Sequence, residues 1–438
     1  MSDNLVKIGL AGFGNVGAGV WKNLEANRKL IEGRSGVRLE ITRIAVRDPK
    51  KQRDVQIPEG IVTTDWRELI DADDVDVVVE LIGGTDAAFD LVTSALKTGK
   101  IVVTGNKALL AERGVEVFGI AEERNVPVFY EAAVAGGIPI IKAVQESLIG
   151  NHIEGIYGII NGTSNYIMTR MTEGGLAFED ALKEASDLGY AEADPYLDIS
   201  GWDAAHKAAI LASLSYGYWV RTEDLHVEGI ERVTTADIHY AEKLGYVIKL
   251  LSVVKAHGDG EIEVRTQPSL IPSEHILASV NGVFNAVSVH GDISGECLFY
   301  GSGAGQDPTS SSVLSDIVDA AHAVTKDHRG LGFKAHALYG KTMPIEKTVS
   351  EYYLRITVND QPGVISAIAT SLANHGIGIR ATSSLKPSEM KENGFDEVIL
   401  VLHAAKFGVL QQALTEIEAL DCVTDSVVCF RVEDLDSK

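Results

Sequence analysis

The chain has 438 residues, an apolar fraction of 45% and 11 prolines, which is typical of a globular protein with two or three domains. Its net charge of −23 argues against a nucleic-acid partner, because little in the chain would neutralise phosphates. The start of the chain has no signal-peptide pattern, and no apolar run approaches the ~20 residues that a membrane span needs. Cys297, Cys422 and Cys429 lack metal-site spacing and are interpreted as reduced thiols. We therefore expect a cytoplasmic protein that binds neither membranes nor nucleic acid.

Short apolar runs alternate with helical stretches throughout residues 1–132. The runs are VKIGLAGFG, RLEITRIAVRD, VDVVVELIGG, KIVVTGN and VPVFYE. Because these runs are largely apolar, we expect strands that are buried on both faces. Strands that alternate with helices predict an α/β fold, with a doubly wound parallel sheet of the Rossmann type as a dinucleotide-binding domain.

Four further regions follow along the chain, of which the second and third overlap. Residues 133–303 mix long helices with alternating strands such as EIEVRTQPSLI, and predict an inserted α+β domain. Residues from about 304 to 340 begin with a helical pattern that we assign to the first domain. Residues 327–349 are polar and irregular, which predicts a linker. Residues 350–438 have the order strand–helix–strand–strand–helix–strand and predict a small independent α+β domain.

A glycine-rich loop lies between the first predicted strand and a helical stretch. It consists of Gly12, Phe13, Gly14, Asn15, Val16 and Gly17. The spacing alone is a weak indication, but a strand before it and a helix after it form the context that dinucleotide binding requires. Gly12 would permit a tight turn, Gly14 would admit a pyrophosphate, and Gly17 would allow close packing of the helix. A plain strand–helix turn is the alternative.

Charged residues at the end of the second strand bear on the choice of cofactor. Arg47 and Asp48 are followed by Lys50, Lys51 and Arg53. An acidic residue here would bind the ribose hydroxyls of NAD, whereas arginine would accommodate the 2′-phosphate of NADP. The excess of cations favours NADP, and use of both cofactors stays open. A solvated basic turn is the alternative.

The segment YAEADPYLDISGWDAAHK concentrates carboxylates ahead of a single lysine, Lys207. Asp203 and Lys207 are four residues apart and share one side of a predicted helix. Because their neighbours are mostly alanine, we expect Lys207 to line a cleft, where desolvation lowers the pKa of a lysine and suits it to proton transfer. The carboxylates would then bind the ammonium group of a substrate. A solvated acidic loop with an ordinary surface ion pair is the alternative.

Two other polar features are assigned structural roles. His206 precedes Lys207, but adjacent helical residues point about 100° apart, so we do not expect a shared acid–base role. Asn161, Thr163 and Ser164 in NGTSNY have no evident partner base for nucleophilic catalysis. We expect these three residues to shape a loop at the substrate pocket.

Several long segments resemble homoserine dehydrogenases. They are YEAAVAGGIPII, IINGTSNYIMTRM, LGYAEADPYLDISGWDAAHKAAILA, YGSGAGQDPTSSSVLSD, VVVELIGG and TGNKALLA, and they occur in the order of that family within residues 5–325. The resemblance implies NAD(P)-dependent interconversion of L-aspartate 4-semialdehyde and L-homoserine, on the route to threonine, methionine and isoleucine. It also implies that residues 133–303 bind the substrate and form a homodimer.

The resemblance assigns roles to individual residues. Lys207 matches the general acid, and Lys107 matches a second lysine near cofactor and substrate. The implied substrate-binding residues are Tyr190, Glu192, Asp198 and Asp203. The resemblance implies cofactor contacts for Lys107, Gly189 and Gly303, in addition to the glycine loop and Arg47, which the residues themselves indicate. The chemistry agrees, because hydride transfer to an aldehyde carbon forms an oxyanion that requires a positively charged proton donor.

The segment YEAAVAGGIPI resembles the monovalent cation site of the same family. The implied ligands are the Glu131 carboxylate and the backbone carbonyls of Val134, Gly136 and Ile138. Oxygen ligands suit a hard cation such as sodium, for which we expect a structural role. A turn of small residues that packs against a helix is the alternative.

Residues 350–438 resemble an ACT regulatory domain, with DQPGV following the first strand. The implied ligand-binding residues are Asp360, Gly363, Val364 and Asn374. L-Threonine is the implied allosteric ligand, and pairing of ACT domains would extend a homodimer to a homotetramer. Gly378 and Arg380 stand where a polar ligand-facing residue is expected, which leaves open another ligand or a role in subunit pairing alone.

Two other functions are compatible with parts of the pattern. Another NAD(P)-dependent amino-acid dehydrogenase would share the glycine loop but would not require Glu192, Asp203 and Lys207. A catalytically silent amino-acid sensor would keep a folded dinucleotide domain. The presence of both Lys107 and Lys207 argues against the sensor.

Overall fold

The structure is a computed structural model, which describes residues 5–51, 53, 55–58, 60–192, 194–258, 260–326, 341–359, 361–383 and 395–433. The chain forms two compact units. Unit 1 consists of Met1–Ile160, Ala205–Leu225 and Phe284–Lys341. Unit 2 consists of Asn161–Ala204, His226–Val283 and Thr342–Lys438. None of the helices in the described ranges combines the length and apolar character that crossing a bilayer requires.

Strands and helices are both distributed along the whole described part of the chain. The strands are β1 (Leu5–Ala11), β2 (Arg38–Ala45), β3 (Val62–Thr63), β4 (Val77–Glu80), β5 (Ile101–Thr104), β6 (Val128–Phe129), β7 (Ile153–Ile159), β8 (His226–Val227), β9 (Tyr246–Ala256), β10 (Glu261–Pro272), β11 (Phe284–Gly291), β12 (Gly295–Ser302), β13 (Lys341–Thr342), β14 (Val349–Asn359), β15 (Ile379–Ser383), β16 (Phe395–Lys406) and β17 (Val428–Val432). The helices are α1 (Asn15–Ser35), α2 (Arg67–Asp71), α3 (Asp86–Lys97), α4 (Lys107–Arg124), α5 (Ile140–Lys142), α6 (Gly162–Gly174), α7 (Phe178–Asp187), α8 (Tyr196–Ile199), α9 (Trp202–Tyr216), α10 (Thr235–Lys243), α11 (Gln306–Lys326), α12 (Val364–Asn374) and α13 (Phe407–Glu418).

Unit 1 is built on a parallel sheet with the strand order β3-β2-β1-β4-β5-β6. The predicted parallel sheet is therefore confirmed, including the complete burial of β4 and β5. Strand β3 was not predicted, since its two residues carry no apolar pattern. The strand order reverses between β1 and β4, so the carboxyl ends of these strands flank the crevice where such sheets bind dinucleotides.

The rest of unit 1 adds a second, antiparallel sheet region and a long helix. Strand β11 lies between β7 and β12 and is antiparallel to both. Helix α11 packs along α1, and the His322 ring nitrogen lies 2.9 Å from the Ser35 carbonyl oxygen. A Cβ atom at Gly19 of α1 would lie 2.7 Å from the Gln306 side chain, so glycine allows the close approach of the two helices.

Unit 2 contains a sheet region with the order β9-β10-β17-β14-β16-β15. The element order predicted for the last ninety residues or so is confirmed, because β14, α12, β15, β16, α13 and β17 follow one another. The prediction that these elements form an independent domain is not confirmed, because β17 pairs with β10 in parallel through Ser269–Arg431 and Leu270–Val432. An edge strand that pairs outside its own segment leaves no local signal in the sequence.

Two further expectations are corrected by the structure. Residues 341–349 are not an irregular linker, since they contain β13 and a 3₁₀ turn at Ile345–Lys347, and Met343 N–H donates to the Ile262 carbonyl. The remaining linker residues, 327–340, lie outside the described residues. Strand β10 does not alternate between buried and exposed residues but is buried from Glu261 to Ile271. Its charged residues are buried because they form ion pairs within unit 2.

Candidate active site

The glycine loop of unit 1 is shaped by two very close backbone contacts. Gly12 has a φ of +97°, and a Cβ atom there would lie 2.3 Å from the Leu81 carbonyl oxygen. A Cβ atom at Gly17 would lie 2.3 Å from the Gly12 carbonyl oxygen. Both positions therefore require glycine, and the tight turn predicted at Gly12 is present.

The middle of the loop, by contrast, is open. Among the described residues, none except its chain neighbours would lie within 4 Å of a Cβ atom at Gly14, and Gly14 immediately precedes the 21-residue helix α1. Phe13 is buried and makes an edge-on contact with Trp21, with ring centroids 6.5 Å apart. Val16 is half-buried in the first turn of α1. The loop thus presents free space at the N-terminus of a long helix, which suits a pyrophosphate.

The amino end of α11 lies beside this loop. The Gln306 side-chain amide donates to the Asn15 backbone carbonyl at 3.0 Å and lies 3.1 Å from the Asn15 side-chain oxygen. Gly303 precedes α11, and its carbonyl oxygen lies 2.5 Å from the position of a Cβ atom at Gly136. Within unit 1, the structure therefore places Gly303 against the turn that contains Gly136.

The basic turn after β2 folds back on itself. The Arg53 guanidinium donates to the carbonyls of Lys51 and Asp48 at 2.9 Å and 2.8 Å. It also lies 6.0 Å from the centre of the Phe13 ring, which places this turn next to the glycine loop. Arg47 is exposed at the end of β2. The structure thus places the Arg53 guanidinium next to the glycine loop.

A hydrogen-bonded network occupies the carboxyl ends of β4 and β5. The Thr104 hydroxyl donates to Glu80 Oε2 at 2.6 Å, and Ile82 N–H donates to Glu80 Oε1 at 2.9 Å. Asn106 caps α4 by accepting from Leu109 N–H at 3.1 Å, and half-buried Lys107 is the first residue of that helix. Glu80 was not among the residues predicted from the sequence, although one carboxylate at the end of the apolar run VVVE marks it.

Lys207 lies on α9 and is 8% exposed, as expected from its alanine-rich surroundings. Its ammonium group donates to the Ile160 carbonyl oxygen at 2.6 Å. Ala205, Ala208 and Ala209 are also buried, so the helix is enclosed on most sides. The prediction that Lys207 does not extend into bulk water is confirmed.

In unit 2, Asn161 joins two of the predicted substrate-binding carboxylates. Its side-chain amide donates to Asp198 Oδ1 at 2.7 Å and to Asp203 Oδ2 at 2.8 Å. Its side-chain oxygen accepts from Ser164 N–H at 2.7 Å and caps α6. One amide therefore holds Asp198 and Asp203 next to each other, and the loop-shaping role expected for Asn161 has a definite geometry.

The loop before these carboxylates is more exposed. Tyr190 packs its ring 4.9 Å from that of Tyr166, and its carbonyl accepts from the Thr163 hydroxyl at 2.8 Å. Gly189 has a φ of +76° and is exposed. Glu192 is also exposed and, within the described part of the chain, has no hydrogen-bond or ion-pair partner. Its carboxylate is thus available to a cationic group.

The predicted cation ligands lie in one turn of unit 1. The Glu131 carboxylate is 2% exposed and accepts from the N–H groups of Ile141 and Lys142 at 2.9 Å and 2.8 Å. Burial raises the pKa of Glu131, and these two hydrogen bonds oppose the rise. The Gly136 carbonyl accepts from the Ser312 hydroxyl at 2.6 Å.

The backbone of this turn is unusual. Ala135 has a φ of +54° and Gly136 a φ of +49°, so two successive residues are left-handed. The Val134 and Ile138 side chains are buried, which fixes the turn from both ends. Carboxylate and carbonyl oxygens each keep a second lone pair, so the existing hydrogen bonds do not exhaust the capacity of these oxygens to accept.

The described residues that were predicted to bind an allosteric ligand lie at the two ends of α12. Gly363 precedes the helix with a φ of +97°, Val364 is buried at its start, and Asn374 is the exposed last residue. Asp360 lies outside the described residues. Arg380 of β15 is held by the Tyr246 hydroxyl and by Glu351.

Comparisons with known proteins agree with this arrangement. The family model for the homoserine dehydrogenase NAD binding domain matches residues 12–131, and that for homoserine dehydrogenase matches residues 139–318. Homoserine dehydrogenase of Pseudomonas aeruginosa is 45% identical to this chain over 435 residues, which are 98% of this chain and 99% of that protein.

Solved structures give the same result. The crystal structure of a homoserine dehydrogenase from Thiobacillus denitrificans has a TM-score of 0.91 and 42% identity, and it covers 98% of this chain and 99% of that one. A hyperthermophilic archaeal homoserine dehydrogenase in complex with NADPH has a TM-score of 0.61 and 29% identity, over 72% of this chain and 97% of its own. The chain therefore belongs to the homoserine dehydrogenases, a family of NAD(P)-dependent oxidoreductases.

Proposed function

We propose that this protein interconverts L-aspartate 4-semialdehyde and L-homoserine, on the route from aspartate to threonine, methionine and isoleucine. The observation that carries the proposal is Lys207, a buried lysine whose ammonium is oriented by the Ile160 carbonyl. A bound nicotinamide cofactor supplies the hydride in reduction and accepts it in oxidation. Lys207 is the general acid that protonates the substrate oxygen during reduction, and it takes the proton back during oxidation.

We assign the substrate's α-ammonium group to the acidic residues of unit 2. Asp198 and Asp203 are held side by side by Asn161, and Glu192 is exposed. Carboxylates that are already oriented lose little freedom when they bind a cation, which favours binding. Tyr190 shapes the same loop through its contact with Tyr166. Lys107, at the start of α4, is proposed to act near cofactor and substrate.

We propose that NADP is the preferred cofactor and that NAD is used as an alternative cofactor. The open space at Gly14 and the N-terminus of α1 support binding of a pyrophosphate. The guanidinium groups of Arg47 and Arg53 support recognition of a 2′-phosphate. The NADPH complex of the archaeal relative is in line with this choice. Gly189 and Gly303 are assigned to the nicotinamide end.

We also propose that Glu131, Val134, Gly136 and Ile138 hold a monovalent cation, with sodium as the ion of choice. The left-handed backbone at Ala135 and Gly136 supports this, since strained turns persist where the surroundings stabilise them. The cation would contribute a structural positive charge beside the buried carboxylate. A rise in the thermal unfolding midpoint with sodium, absent in Glu131→Gln, is the expected result.

For regulation, we propose that residues 350–438 act as an ACT domain that binds L-threonine and inhibits the enzyme. Pairing of these domains would produce a homodimer or homotetramer. Gly363, Val364 and Asn374, together with Asp360, are the proposed ligand-binding residues. Asn374→Ala should relieve threonine inhibition and keep basal turnover, whereas unchanged inhibition would exclude this residue from the site.

We also propose a cytoplasmic location, which the three free cysteines support.

The experiment that tests the main proposal is a substrate comparison on the full chain. Purified protein is assayed for reduction of NADP and of NAD with L-homoserine, L-aspartate and other amino acids, with and without threonine. We expect reduction with homoserine and little with the other amino acids. Selective turnover of aspartate would favour the other amino-acid dehydrogenases, and binding of threonine without turnover of any substrate would favour the sensor.

A further inference from the structure

Glu80 is a buried carboxylate that has no part in the proposed reaction or in cofactor binding. It is the last residue of β4 and is 0% exposed. Within the described residues it forms no ion pair, although a buried carboxylate is costly without a cation. Its oxygens instead accept hydrogen bonds from the Thr104 hydroxyl at 2.6 Å and from Ile82 N–H at 2.9 Å. We therefore asked which segments of the backbone these two hydrogen bonds hold in place.

One side of this network supports the glycine loop. Glu80 accepts from Ile82 N–H, which fixes the backbone just after β4. Leu81 N–H in turn donates to the Ala11 carbonyl at 2.7 Å. The Leu81 carbonyl is the atom that a Cβ at Gly12 would approach to 2.3 Å. The Glu80 side chain therefore holds the segment against which the glycine loop turns.

The other side leads to Lys107. The Thr104 hydroxyl that donates to Glu80 also accepts from Asn106 N–H at 3.0 Å. The Asn106 side chain donates to the Gly84 carbonyl at 2.7 Å and caps the helix that begins at Lys107. The start of α4 is therefore tied through Asn106 and Thr104 to Glu80.

We propose that Glu80 is a positioning residue for hydride transfer, which fixes the amino end of α4, and with it Lys107, relative to the glycine loop. This inference rests on the proposed function, in which Lys107 acts near cofactor and substrate. A misplacement of about 1 Å in such a site can lower turnover by about 100-fold, so a rigid connection between the two elements has a functional consequence.

The electrostatics of the site support the choice of a matched variant. Burial raises the pKa of Glu80, while hydrogen bonds from Thr104 and Ile82 oppose the rise. Glutamine has the same shape and keeps an oxygen that can accept from Ile82 N–H. Glu80→Gln should therefore keep most of the connection, whereas Glu80→Ala removes both sides of it.

The test is a double-mutant cycle with Lys107 on the full-length protein. Glu80→Ala should lower kcat with homoserine about 10- to 100-fold in the otherwise unchanged chain. In the Lys107→Gln background the same substitution should change kcat by no more than about twofold, because its effect passes through Lys107. Glu80→Gln, in the otherwise unchanged chain, should retain most of the turnover that Glu80→Ala loses. Equal losses in both backgrounds would overturn the proposal.

A second readout does not depend on turnover. The fluorescence of bound NADPH reports the surroundings of the nicotinamide, and we expect Glu80→Ala to change it. If the spectrum equals that of the unchanged protein, the positioning role is refuted. This readout needs no substrate, so it tests the positioning role of Glu80 even if the protein does not turn over homoserine. Failure of the proposed reaction and failure of the Glu80 proposal can therefore be distinguished.

Thr104→Val covers the case in which Glu80→Ala does not fold. It removes the hydroxyl that donates to Glu80 and should show the same pattern with a smaller loss of kcat. The matched control is Thr93→Val, which removes the hydroxyl of a buried threonine that bonds the Phe89 carbonyl within α3. An equal loss of kcat in the control would show a general packing effect and would count against the proposal.

Discussion

Two regions of the molecule bury charged side chains by different means. At the carboxyl ends of the strands in unit 1, Glu80 is held by a hydroxyl and a backbone N–H. In unit 2, Arg265 is 1% exposed and forms ion pairs with Glu263 and Glu433. Neutral partners fix the geometry of a buried group without cancelling its charge, whereas an ion pair cancels the charge. The first arrangement suits the positioning of neighbouring elements, and the second suits stability.

The ion pairs around Arg265 in unit 2 join β9 and β10 to Glu433, the residue that follows β17. Lys255 pairs with Glu433 at 3.1 Å, and burial alone would lower the pKa of Arg265, but Glu433 and Glu263 raise it. On the neighbouring strand, Arg355 donates to Asp237 at 2.7 Å, and Asp237 is 0% exposed. These pairs connect residues 350–433 with the middle of the chain, and they explain why β17 adds to β10.

The largest effect is expected elsewhere in unit 1, at Lys207 of α9. Lys207→Ala should lower turnover by about 10²- to 10⁴-fold with NADP binding retained, because it removes the proposed general acid. Steady-state kinetics and titration of bound NADPH measure the two quantities. His206→Ala, one residue away on α9, is the control and should lose far less. Near-normal turnover of Lys207→Ala would remove this lysine from the mechanism.

The second region should respond in stability instead. Arg265→Met leaves Glu263 and Glu433 buried without their guanidinium, which we expect to lower the free energy of unfolding by about 3–5 kcal/mol. Urea unfolding measures the change. Arg221→Met is the matched control, since Arg221 pairs with Asp224 at the surface, where solvent screens the pair and its contribution to stability is small. Similar losses in both variants would contradict the distinction between the two regions.

The first region was easier to predict from the sequence than the second. Apolar runs separated by helical stretches predicted the parallel sheet, and the glycine spacing predicted the turn at Gly12, because both are local patterns. Burial of Lys207 followed from the alanines around it. Glu80 was overlooked, although a lone carboxylate that ends an apolar strand at the carboxyl edge is a local signal too.

The second region depends on partners that are distant in sequence. Glu263 and Arg265 alternate with apolar residues and therefore indicate a strand with one solvent face. Arg265 is buried because Glu433, 168 residues later, pairs with it. The amide of Asn161 likewise meets Asp203 42 residues away. Periodicity describes which face of an element is polar, but it does not identify a partner across the fold.

Substitutions within the glycine loop should separate stability from cofactor binding. Gly12→Ala forces a Cβ atom against the Leu81 carbonyl at a positive φ, and we expect a loss of about 1–3 kcal/mol in unfolding free energy. Gly14→Ala meets no neighbour in the part of the chain that the structure describes, so stability should change by less than about 0.5 kcal/mol. Its Kd for NADPH should nevertheless rise by about tenfold, since the methyl group occupies the space proposed for the pyrophosphate. Unchanged NADPH affinity in Gly14→Ala would mean that the phosphates bind elsewhere.

Lys249 is a buried cation of unit 2 whose hydrogen-bond partners are neutral, as those of Glu80 are in unit 1. Its ammonium donates to the Val280 carbonyl and the Asn281 side chain, both at 2.7 Å. Burial lowers its pKa to about 8 from 10.5, and Glu173 is the charged group that opposes this. Between these pH values the unfolded chain binds more protons than the folded chain, so stability should rise with pH.

The measurement is urea unfolding of the unchanged protein and of Lys249→Met from pH 7 to pH 10. Below a pH of about 8, Lys249 is protonated in both states, so the difference between the two proteins is constant. Above it, the unchanged protein should gain stability relative to the variant by up to about 1.4 kcal/mol per pH unit. Lys29→Met, which removes an exposed lysine of α1, is the control. If Lys249→Met and the unchanged protein follow parallel curves, Lys249 remains charged when folded, and neutral oxygens hold a buried ammonium in unit 2 as firmly as carboxylates do.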